Sequence, residues 1–478
     1  MFQLLHKQYS LKKDYLMTAA NGVAVLLGVF FLNGFIARQY GLEVLGEFLL
    51  VRRTTFAIIG ILLIGMNVGL PSLIGRSKKS KIEGSAFVIF VMFTLPVIGF
   101  ITYIISLGYI SGFKTNHSIG YGMFLIGVSL QYLTYSVYRG YLKMIGANSI
   151  QIIGTALIPI AVFVFVGDLS RSFSIIGISL ILLNIFAFFL HTSGKINLKI
   201  KWQTIRKIMR FGAERLISFI SQFILLAGAP LLVSAYNPYT DLAYFNSLIS
   251  LVRLLLFVVG PLGVVLLPRI AKAVSEKNEY QITQGLTTLL KLILLFGGLI
   301  AIFISSTGGI ILELWLGSIS DTGIWMASVL LLIIPFYLIV EIMRSPIDGL
   351  SLKGYNSIIY FVAAIALISS FYSLTYFGVP ELNAGVYCFL IGYMTAAIGS
   401  IIVIKKLTKI FLPGVQFFVS IIIIFSSFYL INIIINHIFL SIIIQFLLKL
   451  ISLILFCGLA FFQTKGIIQE LSQLSKEL

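Results

Sequence analysis

Residues 36–48 read IARQYGLEVLGEF and join two long apolar runs, at approximately 16–37 and 46–70. A helix needs about 20 mostly apolar residues to cross a lipid bilayer. Both runs meet that length, and the polar link between them is short. This part of the chain therefore predicts two membrane-spanning helices that run in opposite directions.

The same pattern continues along the whole chain. Of its 478 residues 59% are hydrophobic and 10% are charged, with a mean hydropathy of +1.06, whereas soluble proteins are roughly 45–50% apolar and about 25% charged. The predicted fold is an all-α, polytopic membrane helix bundle of about 14 transmembrane helices. The apolar runs lie at approximately 16–37, 46–70, 84–108, 119–142, 148–167, 173–191, 211–234, 242–267, 284–305, 324–340, 356–377, 384–404, 414–435 and 440–462.

The net charge of +18 would suggest a nucleic-acid partner in a soluble protein. With the N-terminus placed in the cytoplasm, however, 25 of the 34 basic residues fall in cytoplasmic segments. This positive-inside bias predicts a multi-pass protein of the bacterial cytoplasmic (inner) membrane with both termini cytoplasmic. The basic residues then contact membrane lipids, and no nucleic acid is expected.

An internal repeat indicates how the spans are grouped. Leu45, Phe48 and Pro71 match Leu242, Phe245 and Pro268 at a constant offset of 197 residues, although three matches in apolar helices can also arise by chance. The offset equals six spans, so the two halves would be parallel repeats, a common transporter plan. The predicted domains are an N-terminal six-helix lobe (1–194), a C-terminal six-helix lobe (195–410) and two appended spans with a cytoplasmic tail (411–478), with a central cavity between the lobes.

Three arginines lie deep within predicted spans. Arg52 and Arg53 lie about 10 Å below the outer end of span 2, and Arg253 lies about 17 Å into span 8. An arginine facing lipid at such depth costs roughly 2.5–3.5 kcal/mol. We therefore expect them to face a wet cavity, although one of Arg52 and Arg53 could extend outward to the membrane surface instead.

Polar stripes accompany these arginines at helical spacing. Each stripe taken alone is explained by helix–helix packing, but together with the arginines they favour a polar cavity. The residues are Asn246 and Ser250 on the face of Arg253, Gln131, Tyr135 and Arg139 on span 4, Asn21 on span 1, and Glu214 at the start of span 7.

Three further features concern two charged residues and the prolines of the predicted spans. Glu214 either lines the cavity or forms a local charge pair near Arg210 and Arg215. Lys449 in span 14 either faces span 13 near Asn432 or borders a lipid groove. Prolines inside spans should bend or break their helices; they are Pro96, Pro159, Pro261 and Pro335.

No catalytic motif stands out, so an enzyme is not predicted. The two cysteines exclude a disulfide framework and a multi-cysteine metal site, and no cofactor is expected. The outer loops are short, so the function is expected within the membrane.

Residues 37–48 resemble the start of polysaccharide flippases of the Wzx type, where the pattern is roughly A-R-x-L/Y-G-x-x-x-x-G-x-Y/F. The Gly-rich ending of span 2, GMNVGLP at 65–71, is similar to the same family. These proteins belong to the multidrug/oligosaccharidyl-lipid/polysaccharide exporter superfamily. Its members have two six-helix lobes around a central cavity, sometimes with two extra C-terminal helices.

The resemblance implies a flippase that moves undecaprenyl-diphosphate-linked oligosaccharide from the cytoplasmic to the outer leaflet for O-antigen or capsule synthesis. The polysaccharide polymerase machinery is then a candidate partner. In related lipid II flippases, cavity arginines on spans 1, 2 and 8 bind the diphosphate; Arg52 or Arg53 and Arg253 resemble the latter two. This chain has no arginine in the body of span 1, since Arg38 stands at its outer end.

Two other functions remain open from the sequence. A multidrug or other small-molecule antiporter would share the fold, but such exporters usually place carboxylates in the cavity, whereas the deep charges here are mostly basic. A polysaccharide polymerase or ligase typically needs a large outer loop, which this chain does not have.

Overall fold

A computed structural model describes residues 11–76, 82–191, 202–255, 279–317, 319–351, 353–408, 415–437 and 442–477. These residues form helices joined by short turns, and no β-strand occurs among them, which confirms the predicted all-α fold. The helices are α1 (Leu11–Tyr40), α2 (Leu42–Leu62), α3 (Met66–Arg76), α4 (Ile82–Ser106), α5 (Ser118–Gly140), α6 (Met144–Phe165), α7 (Leu169–His191), α8 (Trp202–Ala213), α9 (Leu216–Ser234), α10 (Tyr239–Leu254), α11 (Glu279–Leu316), α12 (Asp321–Leu350), α13 (Tyr355–Tyr376), α14 (Glu381–Thr408), α15 (Val415–His437) and α16 (Ile442–Glu477).

Each of the fourteen predicted spans overlaps one of these helices, the eighth over 242–254 only, because 256–267 lie outside the described residues. Eleven helices in the described part of the chain are long and apolar enough to cross a membrane. The chain is therefore a multi-pass membrane protein, with about 14 as an approximate count of its spans.

The predicted second span is not one continuous helix. The run 46–70 breaks after Leu62, where Ile64 (φ 48°) and Gly65 (φ 67°) adopt left-handed conformations, and α3 follows from Met66. Hydropathy does not report backbone angles, and an isoleucine rarely adopts a positive φ. The sequence therefore gave no sign of this break. The hydroxyl of Thr94 donates a hydrogen bond of 2.8 Å to the carbonyl oxygen of Leu62 and so satisfies one of the last carbonyls of α2.

Three of the prolines that were expected to bend or break their helices lie in helices that continue past them, with a changed local geometry. A π-helical turn at Phe90–Thr94 precedes Pro96, a second at Ile153–Leu157 precedes Pro159, and a 3-10 turn at Leu331–Ile333 precedes Pro335. Proline donates no backbone hydrogen bond and its ring crowds the preceding turn, which these wider or tighter turns accommodate. Pro261 lies outside the described residues.

Helix α8 is a short amphipathic helix that the sequence analysis did not predict. Ile205 and Ile208 are buried, while Trp202 and the basic residues Arg206 and Lys207 are exposed. The end of α8 packs against the break after α2. The approach is so close that a Cβ on Gly212 would lie only 2.0 Å from the carbonyl oxygen of Ile64. Glycine at 212 thus permits a close backbone contact that a larger residue would prevent.

The chain divides into two compact units, unit 1 (Met1–Ala243) and unit 2 (Tyr244–Leu478). Helix α10 begins in unit 1 and continues into unit 2. The predicted domain boundaries, 194/195 and 410/411, both lie outside the described residues, so the division into two six-helix lobes and two appended spans stays a prediction.

Within unit 2, Lys449 of α16 is 1% exposed and its ammonium donates a 2.8 Å hydrogen bond to the carbonyl oxygen of Ser306 in α11. The hydroxyl of Ser306 lies 3.1 Å from the side-chain oxygen of Asn432 in α15. Around these polar groups Leu299 and Phe428 belong to one buried apolar cluster. Lys449 is therefore packed inside unit 2 near Asn432, as one of the two expected arrangements has it, but its direct hydrogen-bond partner is Ser306 of α11.

Candidate functional site

Two helices, α2 and α5, are long enough to cross a bilayer and yet too polar to qualify as apolar spans. Helix α2 contains Glu43, Glu47, Arg52 and Arg53, and α5 is rich in glycine, serine and tyrosine. Polar groups at membrane depth are costly unless they face protein or a wet cavity. Half of the predicted site residues lie on these two helices.

Arg52 and Arg53 occupy the middle of α2 and are both half-buried. The guanidinium of Arg52 lies 6.0 Å from the ring centre of Phe48 and 5.5 Å from that of Phe56, one turn to either side along its own helix. These are cation–π distances, which stabilise a guanidinium away from bulk water. The Nε atom of Arg53 is buried. Both arginines are thus held within unit 1 by protein contacts.

Asn246, Ser250 and Arg253 lie along α10 with the predicted helical spacing. Asn246 is fully buried, and the Ser250 hydroxyl donates a 2.8 Å hydrogen bond to the Asn246 carbonyl oxygen. Arg253, in the last turn of α10, is exposed on unit 2. The stripe therefore runs from a buried amide to an exposed guanidinium.

The side chains of Gln131 and Asn21 are engaged in helix–helix contacts. The Gln131 amide of α5 donates to the Ile150 carbonyl oxygen at 3.2 Å and to the Thr155 hydroxyl at 3.1 Å, both in α6. The Asn21 amide of α1 donates to the Gln151 side-chain oxygen at 3.0 Å. These two residues take the packing role that the sequence offered as the alternative to a cavity.

Tyr135 and Arg139 stand one turn apart on α5, with the guanidinium of Arg139 5.5 Å from the Tyr135 ring centre. Tyr135 is half-buried against a small apolar cluster that includes Tyr138, and Arg139 is exposed. A guanidinium beside an aromatic face keeps the N–H groups in its own plane available to an anion.

Glu214 forms an exposed ion pair within its own chain segment. Its carboxylate lies 3.1 Å from Nε of Arg210, four residues earlier, and both side chains are more than half exposed. This local pair is the second of the two arrangements that the sequence left open, so a role for Glu214 in the cavity rests on prediction alone.

The structure also brings together a polar cluster that the sequence analysis did not identify. We call it the Glu47 cluster: Glu43 and Glu47 of α2, Lys114 and His117 of the segment before α5, and Tyr121 of α5. The Glu47 side chain is 1% exposed and contacts the last three of these residues. Glu47 stands at the outer end of the predicted second span, so the depth argument applied to Arg52 does not single it out. Its partners lie about 70 residues away, and nothing in the sequence pairs them.

Comparisons with known proteins bear on the fold. No protein-family model matches the chain, and no curated protein matches it. Among solved structures, the lipid II flippase MurJ in an inward closed conformation is similar with a TM-score of 0.70 and 16% identity, over 94% of this chain and 99% of that chain.

Two MATE transporters are similar as well. An inward-facing MATE family transporter of the MOP superfamily gives a TM-score of 0.61 at 15% identity over 82% of this chain and 98% of that one. The Vibrio cholerae MATE transporter VcmN, in its bent form, gives 0.52 at 15% identity over 83% and 97%. At these identities the likeness establishes the fold: the chain folds as the transporters of the MOP superfamily do.

Proposed function

We propose that the protein is a flippase that translocates undecaprenyl-diphosphate-linked oligosaccharide repeat units from the cytoplasmic to the outer leaflet by alternating access. The observation that carries this proposal is the adjacent pair Arg52 and Arg53 in the middle of α2, half-buried in a helix of otherwise mostly apolar residues. The fold shared with a lipid II flippase supports it.

The chemistry of a diphosphate headgroup suits such arginines. A diphosphate carries about two negative charges, and the planar guanidinium can bind its oxygens through two parallel hydrogen bonds. Arg253 in unit 2 is the third proposed contact, since it follows Asn246 and Ser250 on one helix. Arg139 over Tyr135 adds a cation and an aromatic face of the kind that binds sugar rings. The proposal that the substrate is that of a Wzx-type flippase therefore depends on these residues and on the resemblance at 37–48.

The direct test of this proposal is deletion of the gene in a host that makes a surface polysaccharide. We expect the polysaccharide to disappear from the surface and its lipid-linked repeat unit to accumulate on the cytoplasmic side of the membrane, with both effects reversed by the full-length gene. Normal surface polysaccharide in the deletion strain would contradict the proposal.

A multidrug antiporter is the second candidate, because the MATE transporters share the fold. The two functions differ in what the deletion strain loses. Increased sensitivity to cationic drugs with unchanged polysaccharide would favour the antiporter, whereas accumulated lipid-linked oligosaccharide with unchanged drug sensitivity would favour the flippase.

The proposed direction of transport depends on the sidedness of the chain. We expect alkaline phosphatase fused after Asn116 or Asn383 to be active, because the positive-inside bias places both sites outside. Fusions after Lys143 and Lys406 should be inactive. Activity at the two lysine sites and none at the two asparagine sites would reverse the topology, and inactivity at Asn383 alone would mean that one span upstream has been miscounted.

A further inference from the structure

The Glu47 cluster surrounds one buried carboxylate with three different donors. One oxygen of Glu47 accepts a 2.6 Å hydrogen bond from the Tyr121 hydroxyl and also contacts Nδ1 of His117. The other oxygen lies 3.0 Å from the Lys114 ammonium. Since the Glu47 side chain is 1% exposed, these contacts replace nearly all of its hydration.

The ion pairs of this cluster join two carboxylates to one fixed cation. Lys114 lies 3.3 Å from Glu43 as well as 3.0 Å from Glu47. Burial lowers the pKa of Lys114, but its hydrogen bonds and attraction to Glu47 and Glu43 outweigh this and raise the pKa, so the lysine stays charged. With a neutral His117 the pairs therefore sum to one negative charge, and a proton on the imidazole would balance it.

The cluster holds together several elements of unit 1. Lys114 lies 5.0 Å from the ring centre of Tyr239 in the first turn of α10, and the Tyr239 hydroxyl donates a 3.0 Å hydrogen bond to the Gly112 carbonyl oxygen. The first turns of α10 also carry Asp241. Helix α2, the segment before α5, α5 itself and the start of α10 thus meet around the Glu47 cluster.

The members of the cluster differ in how exposed they are. The Lys114 side chain is 37% exposed and that of Glu43 65%, whereas His117 is exposed by 15% and Glu47 by 1%. His117 is therefore partly exposed, and we expect its proton to come from the predicted outer side of the membrane, where the sequence places residues 107–117. The buried carboxylate beyond it is the group that the proton would stabilise.

We infer that Glu47 and His117 form a proton-binding site. The protonated imidazole balances the charge of the buried Glu47 and stabilises the packing of residues 107–117 against α2. Loss of the proton removes one of the two cationic partners of Glu47 and weakens this packing. The ligand is a proton taken from the side of the membrane that residues 107–117 face. The inference stands independently of which substrate the protein transports.

The sign of the pH effect follows from this charge balance. A protonated imidazole attracts the Glu47 carboxylate and a neutral one does not, so we expect His117 to stabilise the protein more at low pH than at high pH.

The test compares thermal unfolding of the purified full-length protein with that of His117→Gln, in lipid nanodiscs, at about pH 5.5 and about pH 8.5. Glutamine can still form a neutral hydrogen bond but cannot carry the proton. We expect the variant to unfold about 2–4 °C below the wild-type protein at the lower pH. At the higher pH the two melting temperatures should coincide.

His437→Gln is the matched control, because His437 is an exposed histidine at the end of α15, far along the chain from this cluster. It should melt with the wild-type protein at both pH values. Glu47→Gln provides a second variant, whose melting temperature should also lie further below that of the wild-type protein at the lower pH. If the melting temperature of His117→Gln lies below that of the wild-type protein by the same amount at both pH values, the inference is overturned and the contact is purely structural. An unchanged melting temperature at both pH values would overturn it as well. If Glu47→Gln does not fold, the His117→Gln comparison alone decides.

Discussion

Replacing Arg253 by alanine should remove most of the surface polysaccharide from a deletion strain that depends on this protein. Arg253 lies about 17 Å into the predicted eighth span, following Asn246 and Ser250 along α10, and is exposed on unit 2. Loss of a hydrogen bond to a charged group costs about 1.5–3 kcal/mol. At about 1.4 kcal/mol per factor of ten, transport should fall roughly ten- to hundredfold.

Lysine at position 253 distinguishes charge from geometry. Lysine retains the positive charge but loses the planar pair of donors that fits a diphosphate, so Arg253→Lys should impair display only partly. Neither change should lower the amount of protein in the membrane, because lysine costs about as much as arginine in a helix and alanine costs less.

Surface polysaccharide and membrane protein level are measured together. Arg171→Ala is the matched control, since Arg171 stands at the start of α7 in a predicted outer loop and should be dispensable. Normal display from Arg253→Ala at normal protein level would remove Arg253 from the proposed diphosphate site.

The positions of the spans could be predicted from the sequence because burial in lipid demands about 20 apolar residues regardless of tertiary contacts. The break between α2 and α3 could not. It depends on Ile64 adopting a positive φ, and on Gly212 of α8 packing against Ile64, which is 148 positions away in the sequence. Such a turn is stabilised by a contact that no local pattern encodes.

The site residues divide along a similar line. A charge in an apolar run is visible in the sequence, so Arg52, Arg53 and Arg253 could be proposed as site residues without a structure. Whether a polar side chain faces a cavity or a neighbouring helix depends on its partner, and for Gln131 the partners are Ile150 and Thr155 of α6. Helical spacing alone does not distinguish these two environments.

Glu47 lies only five residues before Arg52 but was not among the predicted site residues. In the sequence it is part of the motif at 37–48 that resembles a family, and nothing there marks its carboxylate as buried. Its contacts with Lys114, His117 and Tyr121 depend on how residues 107–117 fold back onto α2. A buried carboxylate becomes recognisable once these donors are in place around it.

Replacing Gly46 by alanine should strongly reduce the amount of folded protein. A Cβ at this position would lie 1.7 Å from the carbonyl oxygen of Tyr239 and 2.6 Å from its carbonyl carbon, so the backbones of α2 and the first turn of α10 touch here. These atoms belong to the main chain and cannot rotate away. The two helices would have to separate, at a cost of about 1–3 kcal/mol or more.

Gly99→Ala in α4 is the matched control, because a Cβ there would meet no atom within 4 Å. Alanine favours a helix over glycine by about 1 kcal/mol, so this variant should be at least as stable as the wild-type protein. Fluorescence-detected gel filtration and thermal unfolding of the two variants make the comparison. Equal yield and equal melting temperature would show that the helices do not meet at Gly46. A loss confined to Gly46→Ala would indicate that α2 must touch the first turn of α10 at Tyr239, the residue whose ring centre lies 5.0 Å from the Lys114 ammonium.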